Sequence, residues 1–147
     1  MSKFEKIMVP LDGSEFAEAA LDPALAIARA MGSEVVLFRV AQPIPLAGKL
    51  AEMPDVYDEV VAATYREAED YLRALQEKLA SDRVSIEYRS AAGGIARQIL
   101  DYAAEENIDL LVISSHGRTG VDRWIHGSVA HKVLNNCSCS TLLVRGH

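Results

Sequence analysis

The sequence predicts an α/β fold: one open, twisted sheet of five parallel strands with helices on both faces. Five short apolar runs alternate along the chain with four helical patterns, and no repeat or low-complexity tract interrupts them. Each connection is long enough for a right-handed crossover, which neighbouring parallel strands require. The run 35–40 is almost continuously apolar, as is typical of a strand buried on both faces of such a sheet.

The first strand is predicted at 7–11, an apolar run that ends in the turn-forming Asp-Gly-Ser of 12–14. A helix follows, because apolar residues recur three and four positions apart, at Ala17, Leu21, Ala24, Ala28 and Met31. Gly32 stands where the C-terminal cap of a helix belongs. Pro23 interrupts the pattern, so we expect a kink or a late start in this helix.

The second strand is expected to stop near Ala41. The segment 42–54 predicts a loop of unusual length, since it has no clean period and contains Pro43, Pro45, Gly48 and Pro54. A lid over a ligand and a mobile connection are both open interpretations of this loop. From Asp55 to about Ala80 the pattern predicts a long helix, with one stripe formed by Val60, Thr64, Ala68, Tyr71, Leu75 and Leu79.

The third strand is predicted at 84–88, where apolar and polar residues alternate as in a half-buried or edge strand. Gly93 and Gly94 then turn the chain into a helix that Asn107 closes; its apolar face holds Ile95, Ile99 and Ala103. The remaining elements are predicted as a strand at 109–114, a helix at 129–134 and a last strand at 140–144.

Composition and charge limit the class of protein. The 147 residues carry a net charge of -6, which argues against general affinity for nucleic acid or anionic membranes. No stretch reaches the roughly 18 apolar residues of a membrane span, and the segment 1–6 lacks the apolar core of a signal peptide. We therefore expect a cytoplasmic protein with a single domain over residues 1–147.

Cys137 and Cys139 are too few and too close together for a disulfide framework. As a Cys-x-Cys pair they offer two metal ligands, but His126 and His131 do not complete a familiar ligand spacing. The sequence favours two reduced structural thiols.

The segment 114–128 combines glycines with basic residues between the fourth predicted strand and the last predicted helix. The first amides of a helix have no intrahelical partners and the helix dipole is positive there, so an anion binds favourably. Arg118, Arg123 and Lys132 make this part of an acidic chain locally basic. The sequence thus predicts an anion site; the alternative is a solvated loop and a helix with Ser128 as its N-cap.

Three features are predicted to follow the ends of strands: Asp12, the Val40-Ala41 pair and the glycine loop. In open parallel sheets, ligands bind outside the carboxyl ends of the strands, at the point where the strand order reverses. We therefore expect the three features to converge on one crevice.

Three separated motifs resemble those of a known family. Gly117 is followed after nine residues by Gly127-Ser128, the spacing of the family's nucleotide-binding members, and Ser114 stands where their first glycine would be. The segments 9–14 and 142–144 also resemble the family. On these motifs the chain is identified as a member of the universal stress proteins, and the resemblance covers the whole chain.

The resemblance implies a Rossmann-like sheet of strand order 3-2-1-4-5 that binds ATP, AMP or another adenine nucleotide. The implied nucleotide-binding residues are Pro10, Leu11, Asp12, Val40, Ser114, His116, Gly117, Arg118, Gly127, Ser128 and Val129. Asp12 has two interpretations: a turn residue that precedes Ser14, or an acceptor for ribose hydroxyls and a ligand of phosphate-bound Mg²⁺. The resemblance also implies a homodimer in which the edge strand 141–144 pairs with its own copy.

Three functions are compatible with these residues. The first is a homodimeric, stress-linked sensor that binds an adenine nucleotide with little or no hydrolysis, because phosphate-binding features are present without a dedicated base or nucleophile. The second is a nucleotide-free interaction protein of the same fold, which Ser114 favours. The third is a slow ATPase or phosphotransferase.

Overall fold

Strands and helices alternate along the chain. The computed structural model describes residues 4–42, 46–81, 83–115 and 128–145. Within these ranges the elements are β1 (Lys6–Leu11), α1 (Glu15–Glu18), α2 (Leu21–Met31), β2 (Glu34–Ala41), a 3-10 helix (Gly48–Glu52), α3 (Pro54–Leu79), β3 (Ser85–Ala92), α4 (Ile95–Glu105), β4 (Leu110–Ser115), α5 (Ser128–Asn136) and β5 (Ser140–Arg145).

The five strands form one sheet in the order β3-β2-β1-β4-β5, and every neighbouring pair is parallel. This confirms the predicted fold class and the strand order 3-2-1-4-5. The order reverses at β1, because the chain first adds β2 and β3 on one side and then β4 and β5 on the other. The point of reversal therefore lies between β1 and β4.

Helices cover both faces of the sheet. Alternate residues of a strand point to opposite faces, so neighbouring positions of β1 enter different cores. On one face, Ile7 and Val9 pack with residues of α1, α2 and α3, including Ala17, Leu21, Ala24, Leu72 and Leu75. On the other face, Met8 packs with residues of α4 and α5, including Ala96, Ile99, Ala103 and Val133.

The first predicted helix is two helices. α1 ends at Glu18 and α2 begins at Leu21, so the kink or late start expected at Pro23 takes the form of a break between two helices. Pro23 is the third residue of α2, in the first turn, where its missing N–H would have no intrahelical partner. Met31, expected on the apolar face, is 36% exposed because it ends the helix.

The segment after β2 is more ordered than the sequence predicted. Its residues 48–52 form a 3-10 helix and α3 starts at Pro54, one residue before the predicted start. Proline suits this first helical position because its fixed φ is already helical. Pro43 and Pro45 lie outside the described residues.

α3 has 26 residues, and its buried positions are Ala68, Leu72 and Leu75. The predicted stripe did not include Leu72, which is completely buried. Leu72 lies beside Tyr71 and Ala68 rather than in line with them. Among the described helices, none combines the length and the apolar character that crossing a membrane would require.

β3 is an edge strand, as its alternating pattern predicted, but it extends four residues further, to Ala92. The extra residues are polar or small; they are extended because they pair with the carboxyl end of β2, up to Ala41 opposite Ala92. Asn107 follows α4 with a φ of 55°, a left-handed conformation that asparagine tolerates and that ends the helix there.

Candidate functional site

β1 and β4 separate at their carboxyl ends. β1 pairs with β2 up to Leu11 opposite Arg39, whereas its register with β4 ends at Met8 opposite Leu111. β4 itself continues to Ser115 along β5. A crevice therefore opens between two adjacent central strands, at the point where the strand order reverses.

Pro10 explains why the pairing between β1 and β4 stops after Met8. The backbone carbonyl of Glu5 accepts from Glu34 on the β2 side, and the carbonyl of Lys6 accepts from Asp109 on the β4 side. Backbone groups alternate along a strand, so Pro10, four residues after Lys6, also faces β4. Because proline has no N–H, it cannot extend the ladder in that direction, and the β2 side is unaffected.

Asp12 begins the turn that follows β1. Its Oδ1 accepts hydrogen bonds from the Ser14 backbone N–H at 2.8 Å and from the Ser14 hydroxyl at 2.5 Å. Ser14 in turn caps α1, since its Oγ accepts from the Ala17 N–H at 3.2 Å. The turn interpretation of Asp12 is thus realised through Oδ1.

Arg39 lies over this turn and was missed by the sequence reasoning. A Cβ built on Gly13 would lie 3.3 Å from Nη1 of Arg39, and Gly13 has a φ of 89°. A side chain at Gly13 would therefore be strained by the backbone and crowded by Arg39. The sequence signal was that Arg39 is the single charged residue of the apolar run 35–40, directly before Val40.

Two residues of α3 fix the Arg39 guanidinium. Its two terminal nitrogens donate to both carboxylate oxygens of Glu67 at 2.8 Å each, and its Cζ lies 5.0 Å from the centroid of the Tyr71 ring. This bidentate and stacked geometry is specific to arginine. It ties β2 to α3 immediately beside the Asp12 turn.

Tyr71 extends the same contacts to α1. Its hydroxyl donates to Oε2 of Glu18 at 2.5 Å. Burial, followed by this hydrogen bond and the charge of Glu18, raises the pKa of Tyr71 well above its usual range. The phenol is therefore neutral in the folded protein and holds α1 against α3.

Tyr71→Phe is expected to lower the free energy of unfolding by about 1 to 2 kcal/mol at neutral pH, because the bond to Glu18 is lost. A raised pKa in the folded state stabilises the fold fully below the unfolded pKa of about 10, and this contribution disappears as the pH rises above it. Urea unfolding at about pH 8 and about pH 11 should thus show a smaller alkaline loss for Tyr71→Phe than for the parent. Equal losses would contradict the role assigned to the phenol.

Val40 and Val129 reach the same side of the sheet. Both are half-buried, and both pack against the apolar cluster that includes Met8, Phe38 and Val133. Val40 lies one position beyond Arg39, the last residue of β2 that pairs with β1, while Pro10 and Leu11 are buried at the end of β1. The fold therefore brings the first turn of α5 and the ends of β1 and β2 to one edge of the sheet.

Ser114 is completely buried at the end of β4. Its hydroxyl donates to the backbone carbonyl of Ser115 at 3.2 Å. Among the described non-glycine residues only Asn107 has a positive φ, so the backbone at Ser114 does not need glycine. The serine fits the strand without strain, and its hydroxyl is directed at the protein backbone.

The remaining predicted site residues, His116, Gly117, Arg118 and Gly127, lie outside the described residues, as does Arg123. Ser128 is the first residue of α5, so the segment 116–127 joins the end of β4 to the start of that helix. Across the described ranges no three His, Cys, Asp or Glu side chains cluster closely enough to hold a metal ion.

Two cavities among the described residues lie away from this crevice. One of about 530 Å³ is lined by residues such as Ser33 and Arg83, and another of about 440 Å³ by Lys6 and Asp109. These residues belong to the amino ends of the strands, opposite the crevice. Neither cavity contains a residue that the sequence assigns to the site.

Comparisons with known proteins agree with the fold and with the predicted family. The model of the universal stress protein family matches residues 3–145. Universal stress protein YxiE of Bacillus subtilis is 31% identical over 147 residues, which cover 97% of this chain and 99% of that protein. The solved structure of universal stress protein UspA from Lactobacillus plantarum shares the fold, with a TM-score of 0.82, 24% identity and coverage of 99% of this chain and 100% of that one.

A second solved structure, a universal stress protein in complex with cAMP, has a TM-score of 0.62 and 26% identity. The match covers 97% of this chain and 98% of the chain in that structure. The family model and the Bacillus relative both extend over nearly the whole sequence. This chain belongs to the universal stress protein family.

Proposed function

We propose that this protein binds an adenine nucleotide, ATP or else AMP or a related nucleotide, in the crevice between β1 and β4. The observation that carries the proposal is the separation of these strands beyond Met8 and Leu111, which exposes their carboxyl ends at the point of strand reversal. A universal stress protein of similar structure has been solved with cAMP, which supports an adenine ligand for this fold.

The residues around the crevice divide into two groups. Pro10, Leu11 and Val40 border the position of the adenine at the ends of β1 and β2, and Asp12 supplies a carboxylate for the ribose. The phosphates bind at the positive, amino-terminal end of α5, which begins with Ser128 and Val129. The backbone amides of this first turn lack intrahelical partners. His116, Gly117, Arg118 and Gly127 complete the phosphate site in the proposal.

Mg²⁺ would accompany a nucleoside triphosphate. Oδ2 of Asp12 is a hard oxygen donor, suited to one position of a magnesium ion whose other ligands are phosphate and water. The phosphate-binding motif comes without a dedicated general base, so we assign the protein a sensing or regulatory role in the cytoplasm, with little or no hydrolysis.

Asp12→Asn tests the ribose and magnesium assignment. Asparagine keeps a carbonyl oxygen for the Ser14 N–H but loses the charge, so we expect nucleotide affinity to fall by about one to two decades, as when one hydrogen bond to a charged group is lost. Isothermal titration with Mg-ATP, AMP and cAMP measures the effect on each ligand.

Ser14→Ala is the matched control. It removes the hydroxyl that bonds Asp12 and caps α1 but leaves the carboxylate in place, so its affinity should stay near that of the parent. Equal losses in both variants would mean that Asp12 acts only through the turn. Absence of binding to the parent at millimolar nucleotide would refute the proposed function itself.

Arg118 and Arg123 are expected to guide the polyanion towards an acidic protein. Replacing both with Gln should slow association more than it accelerates dissociation. The difference in association rate between this variant and the parent should shrink as salt is added. Stopped-flow binding of a fluorescent ATP analogue separates the two rates. A change confined to dissociation would replace steering with a direct phosphate contact.

A nucleotide-free interaction protein is the second candidate function. The observation that favours it is the Ser114 hydroxyl, which is buried and bonded to the Ser115 carbonyl rather than free for a ligand. Denaturing freshly purified protein and analysing the supernatant for nucleotides distinguishes the two candidates. A stoichiometric nucleotide would exclude the second one.

We also propose that the protein is a homodimer through β5. This strand is at the edge of the sheet, and its Leu142 and Leu143 are 36% and 37% exposed. The residues 140–144 contain neither proline nor charge, the usual protections of an edge. Antiparallel pairing with a second copy about a two-fold axis would cover both leucines and continue the sheet.

A further inference from the structure

Cys137 and Cys139 are in direct contact. They flank Ser138 in the short connection between α5 and β5, and their Sγ atoms are 2.8 Å apart. Both are free thiols and both are half-buried. A disulfide bond is about 2.05 Å long, so bonding the two sulfurs would need a movement of less than ~1 Å.

A small oxidant can reach either cysteine, because each side chain is only half-buried. A cavity of about 400 Å³ between α4 and the start of β5 is lined by Cys139 together with Asn107, Asp109, Ser138 and Ser140. Its polar lining suits a small, hydrogen-bonding molecule. The opposite side of Cys139 packs against the apolar cluster under α4 and α5, which fixes its position.

The two thiols are not equivalent. Burial, followed by the hydrogen bond with Cys137, raises the pKa of Cys139 to about 12, so this sulfur keeps its proton at neutral pH. Thiolates rather than thiols attack peroxides. Cys139 is therefore a poor nucleophile at neutral pH, and we assign the first attack to Cys137 and the resolving step to the adjacent Cys139.

We propose that Cys137 and Cys139 form a redox site that a hydroperoxide converts into an intramolecular disulfide. The Cys137 thiolate attacks the terminal peroxide oxygen and the O–O bond breaks. The departing hydroxide, or the alkoxide of an organic peroxide, takes up a proton from solvent and leaves as water or as an alcohol. Cys139 then attacks the sulfur of the resulting sulfenic acid, an S–S bond forms, and the sulfenic hydroxyl leaves as water with the Cys139 proton. Both sulfurs are oxidised, and the peroxide is reduced.

The proposed disulfide lies in the short connection between α5 and β5. Residue 136 ends α5, the helix that follows the glycine loop, and residue 140 begins β5, the exposed edge strand. The site is independent of nucleotide binding, and so is its test.

The experiment treats the full chain with hydrogen peroxide, blocks remaining thiols with a maleimide and measures the intact mass. For the parent we expect both thiols to be lost together, the protein to stay free of inter-chain links, and dithiothreitol to restore both. Peptide mapping should place the bond between Cys137 and Cys139. Two thiols that still react with maleimide, or disulfides only between chains, would overturn the proposal.

Cys139→Ser and Cys137→Ser test the order of the two steps. With dimedone present, the first variant should trap a sulfenic acid at Cys137 about tenfold or more faster than the second traps one at Cys139, because burial still holds the Cys139 proton. Faster trapping at Cys139 would overturn the assignment of Cys137 as the attacking sulfur. Circular dichroism of both variants checks that the fold is retained.

Discussion

Gly127→Val is expected to abolish binding of adenine nucleotides while the protein remains folded. Gly127 directly precedes α5, and at such a position glycine lets phosphate oxygens approach the backbone closely. A branched side chain would occupy the space of the phosphate and separate it from several amides. Each lost bond to a charged group removes about one to two decades of affinity, so the loss of two or more takes binding beyond calorimetric detection.

Two variants serve as controls for Gly127→Val. Gly94→Val makes the same change where φ is -68° and where an added Cβ would meet only the Cβ of Arg97, at 3.9 Å. It should bind nucleotide normally. Ser128→Ala should have a milder effect, equivalent to one lost bond. If Gly127→Val binds like the parent, the anion site has been placed on the wrong loop.

Leu143→Pro is expected to be monomeric or unstable. Proline removes one backbone donor from the edge strand and its ring clashes in a ladder, which prevents regular pairing with a second copy of β5. Light scattering coupled to size exclusion at tens of micromolar measures the mass directly. A monomeric parent, or a well-folded dimeric Leu143→Pro, would exclude β5 as the interface.

Two further variants protect this test from misfolding. Leu143→Ala keeps the backbone donor and should remain largely dimeric, with weaker association because exposed apolar surface is lost. Leu143→Arg also keeps the donor but places like charges near each other across the two-fold axis, so it should be monomeric and folded. A stable Leu143→Arg dimer would argue against pairing at this edge.

The turn at Asp12 could be predicted from the local sequence. Asp-Gly-Ser after an apolar run predicted both the end of β1 and the start of a helix, and the bonds between Asp12 and Ser14 are those that this chemistry favours. The neighbouring Arg39 could not be placed in the same way. Its partner Glu67 is 28 residues away on α3, and nothing in either local pattern pairs them.

The residues at which the predicted elements end also depend on contacts between distant segments. The last residues of β3, polar or small, are extended only because the end of β2 lies beside them. The helix predicted after β1 breaks where Pro23 and tertiary packing together favour a second start. Local periodicity identifies an element, whereas its neighbours decide where it stops.

The alternation of strands and helices, the parallel sheet, the turn after β1 and the family could be predicted from the chain, because periodicity, turn chemistry and motif spacing are properties of consecutive residues. The strand order followed from the resemblance. Which backbone groups of a strand face which neighbour is seen only in the folded protein. Pro10 opens a crevice because its missing donor points to β4 and not to β2, and the same proline facing β2 would have interrupted a different pair. Contacts between distant segments likewise set Arg39 over Gly13 and Tyr71 against Glu18, since they depend on how the helices pack and not on any local pattern.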